Sequence, residues 1–181
     1  MSTIIDGTTG ITTDGLIVGV EKAQLIKLET AQATTSGTSI NFTGIPTWAK
    51  KITVMFNGVS TTGTSGILVQ IGSGSITTSG YTSTSNETST GGISNLSSTS
   101  GFVVKSTSAS NTLSGSIILT LINTNIWVST HVSKISTGNV IIGSGDCTAL
   151  GGFLDRVRIA TLNGTDTFDA GSVNILIEGS L

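Results

Sequence analysis

Residues Ile40–Ser60 read INFTGIPTWAKKITVMFNGVS. From Lys51 to Phe56 polar and apolar side chains alternate, so Ile52, Val54 and Phe56 share one face while Lys51 and Thr53 share the other. A period of two marks a strand with one buried face. Ser39–Phe42 is a shorter strand of the same kind, and Gly44-Ile45-Pro46-Thr47 is a turn built round the only proline. Proline has no N–H to give a sheet ladder, which places it between strands and not within one. Asn57-Gly58 follows, and because both residues tolerate positive φ the pair predicts a hairpin. The partner strand is Gly66–Gly72, with Ile67, Val69 and Ile71 on one face.

The same punctuation continues along the chain. Ala23–Ala33 fits a strand about as well as a short helix, and is taken as a strand. Phe102–Lys105 is a short strand, and the apolar run Ser116–Ile122 predicts one buried on both faces. Asn123-Thr124-Asn125 then turns the chain into Trp127–Ser133. There Val128, Thr130 and Val132 lie on one side, and Trp127, Ser129 and His131 on the other, which is read as the outward side. Val140–Ile142, Arg156–Leu162 and Val173–Ile177 complete the strands, with Gly143-Ser144-Gly145, Gly151-Gly152 and Asn163-Gly164 as breaks. The pattern predicts an all-β chain, a jelly-roll-like antiparallel β-sandwich over residues 23–181.

Two stretches do not fit a plain strand. Residues 1–22 are rich in Gly and Thr, with small apolar clusters at Ile4, Ile5 and at Leu16, Ile17, Val18. They are too sparse to own a core, and read either as a loose leader or as an extended N-terminal arm that anchors the domain to a neighbouring protein. Ser73–Ser100 is almost entirely Ser, Thr, Gly and Asn, with apolar residues only at Ile76, Tyr81, Ile93 and Leu96. It is either a long working loop or two short strands hidden in polar sequence.

Composition narrows the function classes. Charged residues make up 10% of the 181 positions, against ~25% in ordinary domains, and Ser plus Thr fill roughly a third of the chain. Net charge is −2 and only Lys50-Lys51 are adjacent basic residues, so no patch is suited to a phosphate backbone and no nucleic-acid partner is expected. No apolar run reaches the ~20 residues of a membrane span, and the first residues lack the pattern of a secretory signal. The single cysteine, Cys147, has no partner for an intrachain disulfide and reads as a small buried residue. Sparse charge on so many strands leaves edges unguarded, which predicts a homo-oligomer.

Chemistry is thin. His131 is the only histidine, read as a surface residue, and no Gly-x-Ser-x-Gly elbow supplies a nucleophile. Asp146, Asp155, Asp166 and Asp169 match no calcium loop and read as turn acids, although Asp166 and Asp169 are the densest acidic pair for a glycan-cleaving alternative. No enzyme activity and no cofactor are predicted. A carbohydrate contact is the remaining ligand class: Tyr81 in the polar stretch and Trp127 are the candidate contacts, while Trp48 is expected to plug one end of the sandwich.

The stretch FTGIPTWAKKITVMFNGVSTTGTSGILVQIG, with Gly80-Tyr81-Thr82-Ser83 and the final Val173–Glu178 strand, resembles a segment of tail-fibre, appendage and other virion proteins of tailed bacteriophages, those of cyanobacteria and marine bacteria included. The leader piece Gly7-Thr8-Thr9-Gly10-Ile11-Thr12 is similar to the short N-terminal pieces by which such proteins attach to a larger particle. The resemblance implies a non-enzymatic virion component, assembled in the host cytoplasm as a homotrimer beside other virion proteins. It further implies a short tail fibre or appendage tip, with a host surface glycan as a possible contact, and a capsid decoration protein or a carbohydrate-binding module as the alternatives. A fibre shaft would show long repeats, and the sequence carries none.

Overall fold

The computed structural model of the chain describes residues 3–6, 10–13, 24–105 and 108–180. Among these residues there is no helix, and the strands are antiparallel throughout. β1 (Thr3–Asp6) pairs with β2 (Gly10–Thr13). The body begins with β3 (Gln24–Leu28), β4 (Gln32–Ala33), β5 (Ser39–Thr43), β6 (Ala49–Thr61), β7 (Ile67–Ser73), β8 (Ser75–Ile76) and β9 (Tyr81–Ser89). It continues through β10 (Gly92–Ser98), β11 (Phe102–Val104), β12 (Leu113–Asn123), β13 (Ile126–Ile135), β14 (Val140–Cys147), β15 (Arg156–Thr161) and β16 (Phe168–Ser180). One sheet has nine strands in the order β10-β9-β14-β13-β12-β6-β16-β3, with β4 also on β16. The other has five, β11-β7-β15-β5 with β8 on β7, and the two sheets form a sandwich. This strand order is compatible with the jelly-roll expectation.

The core is built from rows that run across the strands. Ile175, Val54 and Ile117 lie side by side on β16, β6 and β12, and Ile177, Ile52 and Leu119 form the next row. All six are fully buried, facing Val69 and Ile71 of β7 and Val157 and Ile159 of β15. Most are β-branched, which restricts χ1 and favours the pleated surface. Followed farther, the rows change character. The first continues into His131, Gly143 and Ser85, and the second into Ser129, Gly145 and Ser83. The inner face is therefore aliphatic under β7 and β15, and polar and small under β11.

Two expectations from sequence are corrected. Asn57-Gly58 makes no hairpin, because β6 runs through it as one strand of 13 residues. The positive φ of Gly58, 63°, instead serves an irregularity at which the pairing of β6 with both β12 and β16 shifts register. Gly171 comes so close on β16 that an added Cβ would stand 2.4 Å from the Gly58 carbonyl oxygen. Consequently β6 does not pair with β7; the chain crosses between sheets through residues 62–66. The run Ser116–Ile122 is also not buried on both faces: Ile117 and Leu119 are buried, while Ile118 is only half-buried and Ile122 is exposed. By contrast Asn123–Asn125 does turn β12 into β13, with Thr124 at φ 36°. Ser73–Ser100 resolves into β8, β9 and β10, the hidden-strand alternative.

The adjacent pair Ile117 and Ile118 tests these faces. Ile117→Ala is expected to cost about 2–5 kcal/mol and Phe56→Ala about 3–5 kcal/mol in chemical denaturation, whereas Ile118→Ala in isolated monomer costs less than about 1 kcal/mol. Equal losses at 117 and 118 would contradict the register.

Candidate functional site: a hydroxyl face inside and an apolar end outside

Strand β11 is the edge of the smaller sheet, and one of its sides pairs with β7. The other side points into protein, where Val103 is fully buried and Lys105, just past the strand, nearly so. Its N–H groups are taken by side chains of the opposite sheet: Val103 donates to Ser83 Oγ at 2.9 Å and Lys105 to Ser85 Oγ at 3.0 Å. A buried N–H left unpaired costs about 1–3 kcal/mol, so these two serines replace the missing ladder of an edge strand.

Ser85 Oγ also lies 3.0 Å from His131 Nε2. Because the hydroxyl already accepts from Lys105, its own proton is available to Nε2 when the ring carries its hydrogen on Nδ1. Burial lowers the His131 pKa to about 4, so the ring is neutral at physiological pH. Gly143 makes room for it, since a Cβ there would lie 2.3 Å from His131 Cε1. The Ser85–His131 pair thus closes on the backbone of Lys105, and Ser85 has no exposed surface.

Both candidate ligand contacts are corrected. Tyr81 is buried, its hydroxyl accepting from Ile71 N–H at 2.9 Å and facing the carbonyls of Ile71 and Thr77, with Phe102 edge-on at a centroid distance of 5.1 Å. Burial raises its phenol pKa well above the ordinary value. Trp127 is buried beside Leu121 and Cys147, so neither ring offers a sugar-stacking plane. His131 is likewise inside and not on the surface. The cause is period two. Trp127 and Ile135 share one side of β13 and are both buried in the core. Ser129, His131 and Ser133 are carried inward with them, and Val132 is left 65% exposed. Cys147 is buried as expected, its thiol pKa raised by that burial, and Trp48 packs half-buried against the core.

The other singled-out residues have local roles. Asp166 Oδ2 accepts from Ser65 N–H at 3.0 Å, Asp169 accepts from the Ser60 hydroxyl, and Asp155 pairs with Arg156, whose guanidinium holds that carboxyl below its usual range. Among the described residues no group of three His, Cys, Asp or Glu could hold a metal. Of the anchoring candidates, Ile4 and Ile5 fall in β1, while Leu16, Ile17 and Val18 lie outside the described residues.

Two outward features were not legible as sites. On the outer face of β14, β9 and β10, Thr82, Thr84, Ser97, Ser144 and Asp146 line a cleft of about 500 Å3. Beside it Asn95 Nδ2 donates to Thr84 Oγ1 at 2.7 Å and Asn86 Oδ1 at 2.9 Å, so a hydroxyl and amide ladder covers this edge. At the end of the sandwich where Gln24 begins β3, Ile122 and Phe153 are each 61% exposed and Ile126 37%. With its side-chain amide turned to the orientation that satisfies both ends, Asn125 donates to Gly152 O at 3.0 Å and links the two loops. The sequence signal for this end was an aromatic in a glycine turn, Gly151-Gly152-Phe153, next to isoleucines flanking a hairpin. Comparison with known protein families, curated proteins and solved structures finds no match to the chain.

The pH dependence follows from His131. Its folded pKa is depressed, so below the ordinary value of 6.5 the unfolded chain binds a proton that the folded chain refuses. Unfolding free energy should be level in this respect above pH 6.5, fall by up to about 3 kcal/mol toward pH 4, and then level off. Urea titrations at three pH values check this, with His131→Gln expected to flatten the slope; an unchanged slope would contradict it.

Proposed function

We propose that this chain is a non-enzymatic structural component of a tailed-bacteriophage particle, a short tail fibre or appendage tip that assembles with copies of itself and with other virion proteins. The sequence resemblance gives the class, and one structural observation supports the mode. Ile122, Ile126 and Phe153 form an exposed apolar end on the side where the chain enters the body at Gln24. An apolar cluster at the entry of an arm suits attachment, because both can be buried against the same partner.

The opposite end carries the β9–β10 hairpin turn around Thr90-Gly91, since Tyr81 lies level with Cys147 at the attachment end and Thr88 with Val140 far from it. At ~3.3 Å per residue the two ends are roughly 30 Å apart. The hydroxyl-rich hairpin turn therefore faces away from the attachment site, and its Thr and Ser side chains favour a contact with a polyhydroxy surface such as a host glycan, made through hydrogen bonds without aromatic stacking.

Complementation during infection tests this. Ile122→Asp with Phe153→Asp, and separately deletion of residues 1–22, should leave a cooperatively folding domain whose copy number per particle falls about tenfold or more. Shortening the β9–β10 turn should spare incorporation and reduce host adsorption. Normal incorporation of both attachment variants would overturn the proposal, and electron microscopy that places the chain on the capsid surface would replace the appendage reading with the decoration one.

A further inference from the structure

We infer that the outer face of the nine-stranded sheet, centred on Val132 and Ile142, is the surface through which one copy of this chain packs on another. The inference deepens the self-assembly part of the proposed function and is independent of attachment to a particle. The face is continuous in register. Val132 pairs with Ile142 and stands next to Ser116, which stands next to Met55. In the adjoining row Ile118, Thr53, Leu176 and Leu28 are neighbours. Val132 is 65% exposed, Leu28 62% and Ile142 45%, and Val140 adds to the same side.

Size and charge point to a second copy as the occupant. With strands ~4.8 Å apart and residues ~3.4 Å apart, the face across β16, β6, β12, β13 and β14 measures about 25 by 20 Å, or about 500 Å2, and about 600 Å2 with β3. Two such faces bury about 1,000–1,200 Å2, the lower bound for a specific interface. Lys51 and Glu178, in the row beyond Thr53 and Leu176, satisfy each other at 2.8 Å, and the other charges of this side, Lys134 next to Val140 and Asp146 next to Val128, lie at its two margins, where they stay in water. A twisted sheet face is matched by another of the same hand and width, which an identical copy supplies. The polar ladder at Thr84, Asn86 and Asn95 borders the face and remains wet.

Sedimentation equilibrium of the full chain over a concentration series decides the matter. Wild type is expected at a multiple of 18.3 kDa. Val132→Asp with Ile142→Asp should sediment as a monomer, and the milder Val132→Thr with Ile142→Thr, which keeps the β-branched shape, should weaken association about tenfold or more while circular dichroism and the cooperativity of melting stay native. Ile122→Asp with Phe153→Asp should leave the oligomer intact. A wild type that is monomeric at hundreds of micromolar overturns the inference. So does an oligomer unmoved by either face variant, in which case self-assembly stands and the surface is wrong. Loss of particle incorporation by an intact oligomer concerns the attachment reading alone.

Discussion

Two serine hydroxyls decide how this sandwich closes. Strand β11 has no strand on its second side, yet that side is buried, and its N–H groups at 103 and 105 are satisfied by Ser83 and Ser85. The smaller sheet is narrower than the larger one, so at its margin the inner face of β9, β13 and β14 meets a strand edge instead of a strand face. Edge N–H groups need acceptors, and aliphatic side chains cannot supply them. Ser83 and Ser85 are thus the complement of an unpaired edge, while Gly143 and Gly145 leave room for the His131 ring and the Ser83 side chain beside them in the same sheet.

The consequence appears on the other side of the same strands. Side chains alternate, so a strand that turns serine and histidine inward turns valine and isoleucine outward. Val132 is exposed because its neighbour His131 lies within, and Ile142 because its neighbour Ile141 is buried in the core. An isolated domain gains nothing from that exposure, and the self-association proposed above is what would cover it. On β9 and β10 the outer side is mostly hydroxyls and amides, with Ile93 as its one large apolar residue, and the apolar face gives way there to the ladder of Thr84, Asn86 and Asn95.

Much of the strand layout was legible in the residues, for a physical reason. Lys51–Phe56 is half-buried and alternates strictly, and Asn123–Asn125 carries residues that accept a tight turn, so local pattern and tertiary outcome agree. Where they part, the deciding partner is distant in sequence. Asn57-Gly58 has the chemistry of a hairpin, but β12 and β16 continue past it on both sides and convert the positive φ into an irregularity within β6. Tyr81 looked like a surface aromatic because its neighbours are glycine, threonine and serine, and Trp127 because it shares one side of its strand with Ser129 and His131. Nothing in β9 or β13 alone reveals that the polar face of each is the inner one; that follows from Val103 and Lys105. The apolar end at Ile122, Ile126 and Phe153 was equally hidden, because Phe153 is distant in the chain from the two isoleucines and joins them only in the fold.

The account rests on the claim that the serine hydroxyls carry the edge of β11, and amide hydrogen exchange measures that edge directly. In wild type the Val103 and Lys105 amides should exchange as slowly as those of β6 and β12. In a variant with Ser83→Ala and Ser85→Ala that remains folded, these two amides should exchange about 10–100 times faster while the Val54 and Ile117 amides keep most of their protection. Fast exchange at 103 and 105 already in wild type, or no change in the variant, would contradict the claim and with it the reason given for the inward serine face.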